Sequence, residues 1–290
     1  QFSSHALLRV GNFVHQFGLQ SSTSSSMKVT MEEPASNEAF FNSRLMGAMF
    51  VYDKDDFFGT ASVHVESEAL KKKSNELGKM GYGAMSRLVY RPLHDTGRLF
   101  QLGISGAYET PRYNSEPTLN HTSFDLGANF PTRIAKVRAV NALIPDAKNL
   151  IKFTPEMIAG YGPVALEAQY YYLQVNRKKD FKNYKASGMY GILRGLLIGG
   201  NYRYSHTDCG IATPDSGSLE CVFGYNYTDM SDTRSHIYGG RLNDVSFTVN
   251  YYINKYMIWR FRYSYTKITD RVGFENQSLS AFQTRFQVIF

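Results

Sequence analysis

The chain has 290 residues, enough for one large domain or two small ones, and a formal net charge of +7. Its hydrophobic fraction is an ordinary 43%, and no run approaches the roughly 18 apolar residues that a membrane helix needs. A basic excess admits nucleic acid, an anionic surface or an anion pathway, but zinc-ligand spacing, a basic helix and a helix-turn-helix pattern are all missing, which sets nucleic acid aside. The seven His are scattered without ligand spacing, and no P-loop or Rossmann glycine pattern occurs, so neither a metal nor a cofactor is expected. Ser, His and acidic residues are plentiful, yet none forms a local catalytic motif, which argues against an enzyme. The unusual feature is 21 Tyr and 20 Phe against one Trp, a composition suited to strands and to membrane–water girdles.

Period-2 alternation runs from end to end and predicts twelve strands: 5–17, 44–53, 58–66, 82–93, 98–111, 150–161, 163–177, 184–198, 218–230, 241–253, 256–269 and 279–290. Tight connections follow residues 53, 94, 161 and 253, and long polar ones lie at 18–43, 67–81, 112–149 and 270–278. Short and long connections therefore alternate, as in a barrel with one periplasmic and one outward rim. Two depart from this: 178–183 is short on the outer side and 199–217 is long on the inner side. Within 112–149, Thr132–Ala139 has strand character, but an even count of wall strands keeps it in a loop. Glu66–Lys79 suits a short helix, and the run Lys71, Lys72 and Lys73 suits a solvated outer face or a contact with lipopolysaccharide phosphates.

The alternation also sorts the faces. In Val245–Tyr251 the residues Val245, Phe247, Val249 and Tyr251 share one side; in 259–266 Trp259, Phe261, Tyr263 and Tyr265 oppose Arg260, Arg262, Ser264 and Thr266. A soluble sandwich would bury the aromatic face, whereas an outer-membrane barrel turns it to lipid and lines a wet lumen with the polar one. Many strands of about ten residues favour the barrel. A negative mean hydropathy does not oppose this, since polar neighbours dilute every lipid-facing residue. The lumen candidates are Arg87, Glu167, Gln169, Glu220, Arg260, Arg262, Gln283 and Arg285. Arg260 and Arg262 stand out, because like charges two residues apart repel unless counter-charges or anions sit nearby. Cys209 and Cys221 fit either a disulfide or two free thiols.

The segment Leu8–Gln20 with its following Thr23-Ser24-Ser25 resembles the polyphosphate/phosphate-selective porin family of Gram-negative outer membranes. Tyr90–His94, Tyr184–Tyr190, Gly217–Glu220 and Gly239-Gly240 before the 244–252 strand continue the resemblance in family order up to Phe290. It implies a trimeric, sixteen-stranded transmembrane antiparallel β-barrel with a constriction loop in each pore. The strand containing Arg9-Val10-Gly11-Asn12-Phe13 is about the fifth in that family, so some four strands, on the order of a hundred residues, are expected before Gln1. A self-closed twelve-stranded barrel is the alternative.

By the same resemblance, residues 18–43 form the inward-folded constriction. Phosphate-selective members place a Lys where this chain has Ser21, an Arg where it reads Glu32-Glu33, and often an Arg at the strand position of Gly224. Ser24 and Ser25 keep the family's hydroxyls, and Lys28 is an added cation. Losing basic groups weakens a site for a partly desolvated phosphate, so reduced phosphate selectivity is expected. The expected surroundings are outer-membrane lipid and lipopolysaccharide, a homotrimer, and the barrel-assembly machinery acting through the Phe290-ended strand. A plugged barrel serving as a docking partner in a larger outer-membrane assembly is the competing function.

Overall fold

Every strand of the wall hands its backbone groups to the strands next to it in sequence. The computed structural model describes residues 3–23, 28–41, 44–132, 134 and 136–288. In chain order the strands are β1 (Ala6–Val14), β2 (Arg44–Lys54), β3 (Phe57–Val65), β4 (Tyr82–Asp95), β5 (Arg98–Glu109), β6 (Phe124–Asn129), β7 (Arg138–Ile144), β8 (Ala147–Tyr161), β9 (Val164–Arg177), β10 (Tyr184–Ile198), β11 (Tyr204–Ser205), β12 (Gly210–Ile211), β13 (Leu219–Asp232), β14 (Ile237–Asn254), β15 (Met257–Arg271) and β16 (Gln277–Val288). Twelve of them make one antiparallel sheet, while β6–β7 and β11–β12 are separate two-stranded hairpins. The twelve wall strands are those expected from the alternation, with ends moved by a few residues. A strand does form near Thr132–Ala139, as β7, but it pairs with β6 and leaves the wall count at twelve.

Both hairpins interrupt a pairing without breaking it. Glu109 of β5 pairs directly with Leu150 of β8, and Leu196 of β10 with Glu220 of β13. The sheet does not close on itself, and β1 and β16 are its edges. Turns 55–56, 96–97, 162–163 and 255–256 share one rim with the 199–218 segment. Asp55 and Gly97 take positive φ (49° and 76°), which lets two-residue turns follow the strand twist.

Burial is reversed relative to a soluble protein. Trp259 and Tyr263 are 44% and 48% exposed, while Arg260 and Arg262 between them are 1% and 2% exposed. Along such wall strands polar side chains face in and aromatics cover the outside, the arrangement of a membrane barrel, while an apolar cluster that includes Phe17, Phe40, Ile144 and Tyr171 is also buried inside. Among the described residues no helix is long and apolar enough to cross a membrane. The connection 15–43 carries α1 (Leu19–Ser22) and α2 (Ala35–Phe40). The helix expected over Glu66–Lys79 is reduced to a 3-10 turn at Ser67–Leu70 and one α-turn, α3 (Ser74–Leu77).

Cys209 and Cys221 are both free thiols, so the disulfide alternative is corrected. The reason is topological. Cys221 shares the outward side of β13 with Phe223 and Tyr225, while Cys209 is 1% exposed in the inward-folded 199–218 segment. The wall stands between them. A membrane-soluble maleimide should therefore label Cys221 and spare Cys209 in the folded protein, and non-reducing electrophoresis should match reducing electrophoresis.

Candidate functional site

The chain leaves β1 at Val14 and turns at once onto the inner face. Gly18 has φ +80°, its N–H donates to Ser105 Oγ (3.0 Å), and a Cβ there would lie 1.7 Å from Gln169 Nε2. Gln169 cannot easily move aside, because it donates to Thr154 Oγ1 (2.9 Å) and accepts from the Tyr190 hydroxyl (3.0 Å). Only a glycine permits both this backbone conformation and this approach. In the turn that follows, Ser21 Oγ accepts from the Phe17 N–H (2.9 Å) and donates to the Gly18 carbonyl (2.6 Å).

From there the segment crosses the whole inner face. Gln20 donates to Glu167 on β9 (3.0 Å). The Val29, Lys28 and Met31 carbonyls accept from Asn250 on β14 (3.0 Å), Arg260 on β15 (2.5 Å) and Arg285 on β16 (3.0 Å). Glu32 pairs with Arg285 (2.7 Å). Ser36 Oγ donates to Asn226 on β13 (2.6 Å), and Asn37 accepts from the Tyr171 hydroxyl (2.7 Å). Lys152 on β8 donates to the Phe40 carbonyl (2.8 Å). One segment held by strands from β5 to β16 requires the sheet to curve around it.

The 199–218 segment enters from the opposite rim. Gly97 N–H donates to the Tyr202 carbonyl (2.8 Å), Tyr202 N–H to the Gly162 carbonyl (3.0 Å), and Gly162 N–H to the Gly97 carbonyl (2.9 Å), which anchors it on two tight turns. Tyr202 then packs with Leu19, Leu99, Ile158 and Ala165, so the two inserted segments meet inside. Tyr204 donates to Gln101 (2.5 Å), and Arg91 lies 5.5 Å above its ring. Burial pushes the Tyr204 hydroxyl and the Cys209 thiol up and the His206 imidazole down; Arg91 and His94 lower His206 further, against Asp53.

The charged lumen candidates are largely paired. Arg87 forms a fully buried salt bridge with Glu156 (2.6 Å) and also donates to Gln16 (2.9 Å). Glu220 takes Arg194 (2.8 Å), the Tyr202 and Tyr252 hydroxyls (2.7 and 2.8 Å) and Asn250 (3.0 Å). Arg262 pairs with Asp244 (3.2 Å) and donates to Gln283 (3.0 Å). Among the described residues Arg260 donates to a backbone carbonyl, that of Lys28, and forms no ion pair. Breaking one partner of such buried pairs typically costs about 3–5 kcal/mol. Ser24 and Ser25 lie outside the described residues. Sequence reasoning passed over Glu156, Asn226 and Asn250, whose strand positions share the polar alternation, Gln16, which lies in the expected strand 5–17 but beyond the end of β1, and Gln20 and Tyr204, which sit in segments without a period. Among the described residues no cluster of His, Cys, Asp and Glu suits a metal.

The sequence profile of phosphate-selective porin O and P matches residues 1–290. The chain belongs to this porin family. Among solved structures it is similar to outer-membrane expressed OmpT of Vibrio cholerae, at 11% identity and a TM-score of 0.55, over 98% of this chain and 76% of that one. The in-vitro folded OmpT of Vibrio cholerae gives a TM-score of 0.53 at 11% identity, over 96% and 73%. At such identities the likeness speaks for the barrel fold alone. No curated protein matches the chain. This porin is accordingly an outer-membrane β-barrel with a role in transport.

Gly18→Ala should loosen the inserted segment, through a positive-φ cost of about 1–2 kcal/mol and the collision with Gln169. A lower thermal midpoint and a larger, noisier single-channel current are the expected readouts. His206 should make the other insert acid-sensitive. Its folded pKa lies below the ordinary 6.5, so its contribution is complete above that value and is lost as the pH falls below it. Protonation would place a cation beside Arg91 and His94, with Asp53 and Asp56 as partial compensation. A spin label at position 213 should gain mobility between about pH 7.5 and about pH 5, and His206→Gln should flatten that response.

Proposed function

We propose that this porin is a passive diffusion pore for small hydrophilic and anionic solutes, with phosphate selectivity reduced from the family pattern. Position 21 carries the reading. Where that pattern has a Lys, the Ser21 hydroxyl is buried and spends both its donor and acceptor on Gly18 and Phe17. Glu32 moves the balance the same way by neutralising Arg285, and Glu33 accepts from Asn37 Nδ2. A phosphate passing here would meet fewer cations able to replace its hydration shell.

In this reading residues 18–43 are the constriction, and Arg87, Glu167, Gln169, Glu220, Arg260, Arg262, Gln283 and Arg285 line or brace the lumen. About four further strands join the open edges β1 and β16, because lipid leaves unpaired backbone groups unsatisfied. The working unit is a homotrimer, lipopolysaccharide meets the rim at Lys71–Lys73, and the C-terminal strand is read by the barrel-assembly machinery.

Planar-bilayer recording tests the proposal. Ohmic conductance with a modest anion preference is expected, and Ser21→Lys should raise that preference. Strong anion selectivity with saturable phosphate block in the submicromolar-to-millimolar range would contradict it. A docking barrel with a closed lumen is favoured by one observation, the meeting of the two inserts around Leu19 and Tyr202. Absence of conductance together with stable co-purification of other outer-membrane proteins would select that reading instead.

A further inference from the structure

Where the two inserted segments approach each other they leave a cavity of about 140 Å³ against β9, β10, β14 and β15. Three cations border it: Lys28, Arg194 and Arg260. Arg194 is neutralised by Glu220 at 2.8 Å. Lys28 donates to the Gln20 carbonyl and lies within Coulombic reach of Glu167. Arg260 differs from both. It is 1% exposed, its Nη1 donates to the Lys28 carbonyl (2.5 Å), its Nε has no partner, and among the described residues no carboxylate forms an ion pair with it. Glu220 lies within Coulombic reach but forms its ion pair with Arg194, and a buried guanidinium without an ion pair of its own is costly unless an anion completes it.

The remaining walls define what kind of anion. Leu19, Val29, Ile211 and the Tyr252 ring line the cavity beside the cations. A compact inorganic oxyanion would turn part of its oxygen shell toward these apolar groups and leave acceptors unsatisfied. Glu167 and Asp208, also in the wall, disfavour a second negative charge. The volume is of the order of an engineered cavity of about 150 Å³ that accepts benzene, so the anion has room for a short carbon body.

We propose that this cavity binds a small organic monocarboxylate, with the carboxylate on Arg260 and Lys28 and the hydrocarbon portion against Leu19, Val29 and Ile211. The inference rests on the diffusion-pore reading and adds a saturable solute site to it. Asp208 and Thr213, on the segment that enters from the short-turn rim, also line the cavity.

Calorimetric titration of the purified native trimer with butyrate, inorganic phosphate and butanol, paired with bilayer recording on the same preparation, tests it. Butyrate should bind at least about tenfold more tightly than phosphate or butanol, and should reduce the chloride current saturably. Arg260→Gln should lose about tenfold or more in butyrate affinity, as expected for a charge-assisted pair. Should that variant fail to fold, Arg260→Lys keeps the charge without the fork and should retain partial binding, and the three-probe comparison on the unmutated protein stands alone. Butyrate binding no stronger than butanol, or phosphate equal to butyrate, overturns the site. Butyrate binding without conductance upholds the site and defeats the diffusion reading, while conductance without binding does the reverse.

Discussion

In hydrocarbon a backbone amide has no partner except another strand, and a charged side chain has nowhere to go but inward. These two demands organise the molecule. The first produces a wall in which every strand pairs with its sequence neighbour, even where β6–β7 and the 199–218 segment intervene. The second sends Arg87, Arg194, Arg260 and Arg262 to one side of that wall and Trp259, Tyr263 and Tyr265 to the other. Once the charges are inside, they need partners, and the inner face becomes a network rather than a bare water channel.

The inserted 18–41 segment supplies much of that network with main-chain groups. Asn250, Arg260, Arg285 and Lys152 donate to the carbonyls of Val29, Lys28, Met31 and Phe40. The irregular stretches and helix ends of the segment have carbonyls to offer, and a polar wall has donors to spend. Each satisfies the other. This exchange fixes the segment against strands on both sides of the curve, whereas a loop held only at its two ends would remain free to swing.

The wall was legible in the sequence because side-chain period and lipid exposure are the same signal: all twelve strands follow from alternation alone. Partners within the lumen were legible only in part. Arg87 was readable as inward-facing, but its pairing with Glu156 depends on register across β4, β5 and β8, where Arg87 aligns with Ser105 and Ser105 with Thr154. The carboxylate lies two residues farther along, a diagonal that no single strand encodes. The opposition of Arg260 and Arg262 was visible and is resolved unequally, by Asp244 for one and a carbonyl for the other. The 199–217 connection announced itself by its length on the wrong rim, yet its inward path depends on hydrogen bonds between the Gly97, Gly162 and Tyr202 backbones, which leave no trace in side-chain pattern.

Positions 21, 33 and 224, where the resemblance leads one to expect basic groups, look independent in the sequence and are coupled in space. A Cβ at Gly224 would lie 2.7 Å from Ser246 Oγ and 3.4 Å from Thr30 Cγ2, so a long basic side chain there would compete with the inserted segment for room. At Gly188 a Cβ would meet Ser36 and Phe40 at 3.0 Å, and Gly18 is pressed against Gln169. The wall thus carries missing volume along the path of the segment. Ser21 closes a local turn where a Lys would reach outward, and Glu33 accepts from Asn37 within the segment itself. These side chains hold the segment together and to the wall. The same close seating brings the Lys28 carbonyl to Arg260, so main-chain oxygen of the segment takes up a donor of the wall.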